Sequence, residues 1–340
     1  MDIFSTRFML PLLEQIYPPK IFLLDTFFKG TEQSETEYVD IDIQKGKRRM
    51  APFSQPSSEP TMVERQGYIT KSFKPPYIKM EKICKVEDIL KRPIGQTIYA
   101  SLASPADRAS QLLAVDLADL QEMVTRREEW MAAQVLETGK IAFKGEGVDA
   151  EIDFNMDSTH LVTLTGSDLW TADGSDPLGD LQTWYDRVGE HSGLNPDVVI
   201  LGKTVAKTLL NHADVQKLLD NRRVEMGQIK PETLPSGAVF LGSLLDPAVD
   251  LYRYNEYYYD VATSTNKPMV PVDKLFMGST QARTARHYGL IKDVEAGQAA
   301  VRFFPKSIID QRRGIRSLIV QSSPVVCMHQ VDAFLCAKAV

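Results

Sequence analysis

The sequence predicts an α+β protein on two observations. In several stretches, most regularly from Val148 to Asp157, apolar and polar residues alternate at every second position, which is typical of half-buried β-strands. Between residues 104 and 138, by contrast, apolar residues recur at every third or fourth position, which predicts one long helix. This helix would have about 34 residues, roughly three times the average of about 11–12 for globular proteins.

Composition excludes several classes of protein. With 340 residues, 43% of them hydrophobic and 25% charged, the chain can bury two modest cores or one large one, and it is neither disordered throughout nor a disulfide scaffold. Its net charge of -6 argues against a protein that binds nucleic acid phosphates tightly. Three cysteines without a CxxC pair favour a reducing compartment. We expect no export signal and no membrane segment.

The segment before residue 30 is apolar but cannot form one continuous helix. Pro11, Pro18 and Pro19 interrupt it, and each proline removes a backbone donor and clashes with the preceding turn. The apolar stretch 21–28 requires a partner surface. A core strand, a short helix and an interaction arm all remain open for it.

Residues 38–80 predict an extended hairpin. Apolar Val39, Ile41 and Ile43 alternate with polar residues, and Gly67–Lys74 supplies a returning strand. A basic cluster and a Pro/Ser-rich stretch separate the two strands, over a length that ordinary connections do not reach. We therefore expect the tip of this hairpin to act outside the compact part of the chain.

The long helix has recognisable ends. The Ser104-Pro105-Ala106-Asp107 segment is typical of a helix start, and Gly139 supplies a stop. Only one face is apolar and no heptad repeat holds throughout, which favours a helix laid across a sheet over a coiled coil. A second hairpin follows, with strands at 141–143 and 148–157 around Gly145-Glu146-Gly147.

The part from Asp176 to about Arg313 mixes helical and strand patterns and predicts a separate α+β unit. Its first helix begins at an Asp176-Pro177 cap. The apolar face of that helix consists of Leu178, Leu181, Trp184 and Val188. Strands are expected at 198–201 and 238–241, and further helix between 205 and 219. Beyond this unit, strands at 318–320 and 324–326 are expected to return to the long helix.

One short motif could suggest nucleotide chemistry. Leu201-Gly202-Lys203-Thr204 ends like a phosphate-binding loop that follows a strand. Such a loop needs a glycine five residues before Gly202, so that backbone amides can surround the phosphates, and Asp197 occupies that position. We therefore weigh nucleotide binding only as an alternative.

Other candidate sites fail on spacing. The acids between Asp149 and Asp157 alternate as on a solvated strand, and a calcium loop would need glycine where Phe154 stands. No zinc-protease spacing occurs among the histidines, which are at positions 160, 191, 212, 287 and 329. We predict no catalytic residues, no cofactor and no metal ligands, and hence a structural or binding protein and not an enzyme.

A resemblance to a known family rests on specific residues. Phe276 to Arg283 (FMGSTQAR), followed by Tyr288-Gly289, resembles the Gly-x-Thr-Gln-Ala-Arg signature of lambda-like phage coat proteins. Gln321–Pro324 and Asp332–Phe334 resemble the closing strands of that family, and Trp170 occupies the place of a family tryptophan. Phe27-Phe28 and Thr36–Val39 are similar to its arm and to the start of its hairpin. The order of elements also resembles the Hong-Kong-97-type fold of tailed-phage major capsid proteins.

The resemblance implies a division of the chain and a mode of assembly. It implies an N-terminal arm (1–37), an extended hairpin or E-loop (38–80), a peripheral domain with the spine helix (81–176 and 314–340) and an axial domain (177–313). Hexamers and pentamers would close an icosahedral head shell around double-stranded DNA that is not recognised by sequence. The hairpin would lie over an adjacent subunit, and the arm would reach another.

Interface residues and partners also follow from the resemblance. The candidate subunit-interface residues are Phe27, Phe28, Arg48, Arg49, Lys71, Phe73, Tyr77, Gln281, Arg283 and Arg286. A separate scaffolding protein, a portal and a small decoration protein are the implied partners, with assembly in the bacterial cytoplasm and a final place in the virion. Two alternatives remain: an encapsulin-like compartment shell, which the Thr-Gln-Ala-Arg block argues against, and a nucleotide-binding enzyme that uses Gly202-Lys203-Thr204.

Overall fold

The structure is a computed structural model. It describes residues 9, 20–34, 36–44, 50, 51, 53, 55, 56, 62, 68–85, 87, 105–145, 147–212, 214, 215, 232–234, 236–297 and 300–340. Its helices are α1 (Leu23–Phe27), α2 (Pro105–Thr138), α3 (Pro177–Ser192) and α4 (Lys203–Asn211). Its strands are β1 (Gly30–Gln33), β2 (Val39–Gln44), β3 (Tyr68–Phe73), β4 (Ile78–Cys84), β5 (Lys140–Gly145), β6 (Val148–Asp153), β7 (Leu161–Thr163), β8 (Val198–Leu201), β9 (Glu232–Thr233), β10 (Ala238–Ser243), β11 (Asp250–Tyr254), β12 (Tyr257–Asp260), β13 (Thr265–Pro268), β14 (Lys274–Gly278), β15 (Thr284–Tyr288), β16 (Phe304–Asp310), β17 (Ile315–Ser322), β18 (Pro324–Met328) and β19 (Phe334–Lys338).

The long helix α2 confirms the periodicity prediction. It spans 34 residues and ends at Thr138, where Gly139 adopts φ 68° and donates its N–H to the Val135 carbonyl at 2.9 Å. A Cβ on Gly139 would lie 2.4 Å from the Cβ of Met156, so both conformation and space require glycine here. The proposed Ser104 cap lies outside the described residues. The buried face of α2 packs against β17, β18 and β19.

Both predicted hairpins are present. Strands β2 and β3 pair antiparallel from Val39 opposite Phe73 to Gln44 opposite Tyr68, with Val39 and Ile41 buried as expected. Strands β5 and β6 pair around the predicted turn, but β6 ends at Asp153, four residues before the predicted end at Asp157. The alternation continues beyond the strand, but Asn155 adopts φ 56° and turns the chain away from extended geometry.

The remaining strands of the described residues form four sheets, one of them the two-stranded β12-β13. A seven-stranded sheet has the order β7-β19-β14-β8-β11-β10-β9, with the fully buried β8 at its centre. Helices α3 and α4 contribute Leu181, Trp184, Val205 and Leu209 to the cluster on this sheet. Two three-stranded sheets, β1-β15-β18 and β16-β17-β4, complete the part nearer α2. Among the helices of the described ranges, none combines the length and the apolar character that a bilayer crossing requires.

The sheets cross the domain boundary drawn from the sequence. Strand β19, from the segment 314–340, pairs with β14 inside the seven-stranded sheet, whereas β15, from the segment 177–313, pairs with β1 and β18. Hydrogen bonding therefore connects the two predicted domains closely. The boundaries at 176 and 313 remain predictions.

Candidate assembly surfaces

The predicted N-terminal arm is the first candidate assembly surface. Its helix α1 is bound to other elements of the same chain. The buried carboxylate of Glu129, on α2, accepts the N–H groups of Phe22, Leu23 and Leu24 at 2.9, 2.8 and 3.1 Å, and the hydroxyl of Tyr254 at 2.9 Å. These amides open α1 and have no partner within the helix. Burial raises the pKa of the Glu129 carboxyl, and the four donors oppose that rise.

The other end of α1 is held from β15. The Arg286 guanidinium donates at 2.6 Å to the carbonyl of Phe28, which the end of the helix leaves free. It also lies 3.4 Å from the carbonyl of Leu24, which in addition accepts the Phe28 N–H at 3.0 Å. The rings of Phe27 and Phe28 lie 5.3 and 6.4 Å from the ring of Phe334. Three candidate interface residues, Phe27, Phe28 and Arg286, are thus engaged inside their own subunit. Their contact with a neighbour stays a prediction that this burial does not favour.

The base of the extended hairpin is anchored to the second hairpin. Lys71 Nζ donates to the Asp153 carbonyl at 2.5 Å and to Asn155 Oδ1 at 2.9 Å, so β3 is tied to the end of β6. Phe73 packs against the main core at the same end of the hairpin. Lys71 and Phe73 therefore position the hairpin within the chain, and their role between subunits remains a prediction.

A carboxylate reinforces this base. Glu37 lies between the ammonium groups of Lys74 and Lys292, the latter at 2.5 Å. Hydrogen bonds from the two lysines lower the pKa of Glu37 to about 2, and the carboxylate is therefore charged throughout the physiological range. The hairpin thus leaves the body of the protein from a fixed root.

Beyond its root the hairpin presents apolar side chains that the sequence interpretation did not single out. Met50, Phe53 and Met62 are 91%, 105% and 94% exposed. Exposed large apolar groups of this kind mark surfaces that contact a partner. The basic candidates Arg48 and Arg49 lie outside the described residues.

The Thr-Gln-Ala-Arg block forms the turn between β14 and β15. Thr280 donates its N–H to Asp197 Oδ1 at 2.8 Å, and Arg283 donates its N–H to Gln330 Oε1 at 2.9 Å. These bonds fix the backbone, while the side chains of Gln281 and Arg283 are exposed. Gln281 and Arg283 are therefore placed where a neighbour could contact them.

Tyr77 is the remaining candidate in the described ranges. It lies between β3 and β4 and is 38% exposed. Its hydroxyl donates to Oε1 of Gln321 on β17. Burial of part of the ring raises the pKa of the phenol. Tyr77 is accessible, but one of its polar contacts is already made within the chain.

The loop-like motif at Gly202 cannot serve as a phosphate-binding loop. Its backbone amides point into the protein: Gly202 donates to the Lys274 carbonyl at 2.9 Å, and Thr204 donates to the Val272 carbonyl at 3.0 Å. A Cβ on Gly202 would lie 2.1 Å from the Pro271 carbonyl oxygen, which leaves no space for a ligand. The arrangement caps α4 and lacks the free amides that a nucleotide requires.

Comparison with solved structures shows which class of protein has this fold. The fold is similar to the crystal structure of the putative capsid protein of a prophage from E. coli CFT073, with a TM-score of 0.74, 21% identity and 99% of each chain covered. It is also similar to a phage-related protein from Bordetella bronchiseptica, with a TM-score of 0.56, 13% identity and 97% and 95% of the two chains covered. The fold is that of a phage capsid protein, as the sequence predicted.

Sequence comparison then identifies the family. The model of the family described as phage major capsid protein E matches residues 5–339, and the chain belongs to this family. The major capsid protein of Enterobacteria phage P21 is 26% identical over 345 residues, and that of Escherichia phage lambda is 24% identical over 345 residues, each with 98% of both chains covered. The predicted resemblance to lambda-like coat proteins is confirmed, and the encapsulin-like and nucleotide-binding alternatives are not favoured.

Proposed function

We propose that this capsid protein assembles as hexamers and pentamers into a closed icosahedral head shell that encloses double-stranded DNA. The observation that carries the proposal is the hairpin β2–β3, which is rooted firmly at Lys71 and Glu37 yet presents Met50, Phe53 and Met62 to solvent. A neighbouring copy that covers this hairpin would bury those side chains. Repeated around rotation axes, the same contact closes a shell.

The charge of the chain suits a container. A net charge of -6 disfavours tight adhesion of DNA to the shell wall, so the genome would be enclosed without sequence recognition. The proposal includes a separate scaffolding protein, a portal, a small decoration protein, assembly in the host cytoplasm and no catalytic activity. Support for these parts comes from membership of the capsid family and from the blocked amides at Gly202.

Electron microscopy after co-expression with a scaffolding protein tests the assembly. We expect closed shells from the wild type and a folded monomer without shells after deletion of residues 45–65. A sharper variant replaces Met50, Phe53 and Met62 by serine. Val261→Ser is its control, because Val261 is 80% exposed and lies in the turn between β12 and β13, outside the hairpin. Shells from the triple variant as abundant as those from the control would contradict the role of the hairpin.

A further inference from the structure

Two buried histidines and one carboxylate converge where the arm, β15 and the end of β18 meet. His287 Nε2 lies 3.4 Å from His329 Nε2 and 3.6 Å from Glu32 Oε2. One ligand atom from each residue falls within 4.8 Å of the others. Both imidazoles are almost fully buried, whereas Glu32 reaches the surface. The cluster was not predicted, because its members are far apart in sequence and share no motif spacing.

The distances fit a shared cation better than a direct hydrogen bond. A tetrahedral zinc ion with bonds of about 2.0–2.1 Å holds its ligand atoms about 3.3–3.4 Å apart. The pairs made by His287 lie at 3.4 and 3.6 Å, so they need only small adjustments to reach that geometry. A direct N–H···N bond between the two rings at 3.4 Å would be long and weak.

A backbone carbonyl prepares one of the ligands. His329 Nδ1 lies 3.0 Å from the Asp42 carbonyl on β2, and a carbonyl can only accept, so Nδ1 carries the hydrogen. In the neutral ring the lone pair then sits on Nε2, the atom that faces His287 and Glu32. Histidines that ligate metals are almost always oriented in this way by their second nitrogen.

The second histidine pair provides a contrast within the same protein. His160 Nε2 and His191 Nδ1 are 2.7 Å apart, an ordinary hydrogen-bond distance, and His160 Nδ1 contacts the Phe334 carbonyl at 2.8 Å. Among the described residues, only the Glu32, His287 and His329 group assembles three potential metal ligands.

We propose that Glu32, His287 and His329 form a binding site for one divalent transition-metal ion of the zinc type, with a fourth position left for water. Two imidazoles and a carboxylate suit such ions and not the all-oxygen shells of calcium or magnesium. A bound ion would tie β1 of the arm to β15 and to the end of β18. Through Asp42 it would also steady the root of the extended hairpin.

Metal titration of the full-length protein tests the site. Protein stripped with a chelator is titrated with Zn²⁺ by calorimetry, and Co²⁺ serves as an absorption probe of tetrahedral coordination. We expect one equivalent of Zn²⁺ to bind, tetrahedral Co²⁺ bands and a Tm raised by several degrees in the presence of Zn²⁺. Glu32→Gln should weaken binding by more than about tenfold, because loss of a group that merely orients a ligand already costs about 10–100-fold.

Glu32→Gln is the decisive variant because Glu32 is exposed and its replacement should leave the fold intact, which circular dichroism checks. His191→Gln is the matched control, since it removes an imidazole from the other histidine pair and should leave Zn²⁺ affinity unchanged. Absence of stoichiometric Zn²⁺ binding by the wild type would overturn the proposal. Equal affinity in Glu32→Gln and the wild type would overturn it as well.

Discussion

Glu129 and Arg286 hold opposite ends of the same short helix. Glu129 accepts the first amides of α1, and the Arg286 guanidinium donates to the carbonyl of Phe28, the residue directly after the helix. A five-residue helix has little stability of its own, because nucleation costs more than so few hydrogen bonds return. Its ends are instead satisfied by two side chains from distant elements, Glu129 and Arg286, and the arm is thereby fixed against the spine helix.

Glu129→Ala should destabilise the protein strongly. The substitution leaves three buried amides and the Tyr254 hydroxyl without their acceptor, and one unsatisfied buried group costs about 1–3 kcal/mol. We expect a loss of about 3–5 kcal/mol in the free energy of unfolding, measured by urea denaturation, because several buried donors lose their acceptor together. Glu122→Gln is the control: Glu122 forms an exposed pair with Arg126 on the same helix, and such pairs contribute little. Equal effects from the two variants would refute this role for Glu129.

Arg286→Lys should loosen the arm selectively. Lysine keeps the charge but lacks the Nε–H that reaches the Phe28 carbonyl at 2.6 Å and the planar fork that also reaches Leu24. We expect the free energy of unfolding to fall by about 1–2 kcal/mol and amide hydrogen exchange in residues 23–28 to become faster. Arg283→Lys, on an exposed arginine nearby, should leave that exchange unchanged. Unaltered protection in Arg286→Lys would show that Arg286 does not anchor the arm.

The features that could be predicted from the sequence are those that neighbouring residues determine. The ends and the length of α2 follow from its periodicity and from Gly139, and the pairing of β2 with β3 follows from their alternation. The docking of α1 could not be predicted, because Leu23 and Glu129 are 106 positions apart and only the folded chain brings them together. Phe27 and Phe28 pack on Phe334 of their own chain, a contact that no local pattern indicates, and their contact with a neighbouring subunit stays a prediction.

Substitutions at the Gly202 turn should separate structure from nucleotide chemistry. Gly202→Ala places a Cβ 2.1 Å from the Pro271 carbonyl oxygen, and the backbone must shift to accommodate it. We expect the free energy of unfolding, measured by thermal denaturation, to fall by about 1–3 kcal/mol, as at other overpacked sites. Lys203→Ala, at an exposed neighbouring position, should change neither stability nor shell assembly. Binding of labelled ATP by the wild type, lost in Lys203→Ala, would instead revive the enzyme alternative.

Asp293 should contribute stability that acid removes. Its carboxylate accepts from the Gln321 side chain at 2.9 Å, from the Glu295 N–H at 3.0 Å and from Lys306 at 3.0 Å, and these bonds lower its pKa to about 2. A carboxyl group whose pKa is lower in the folded state binds fewer protons there than in the unfolded chain. Its stabilisation is therefore complete above the unfolded pKa of about 4 and disappears as the pH falls toward 2.

Asp293→Asn should consequently lower the free energy of unfolding at neutral pH and have a diminishing effect in acid. Urea denaturation between pH 7 and pH 2 measures the difference between wild type and variant, which we expect to be constant down to about pH 5 and then to shrink. Asp186→Asn, at an exposed position on α3, is the control and should show little difference at either end of the range. If the difference in unfolding free energy between Asp293→Asn and the wild type does not vary with pH, the ionised carboxylate of Asp293 does not stabilise its contact with Gln321 on β17.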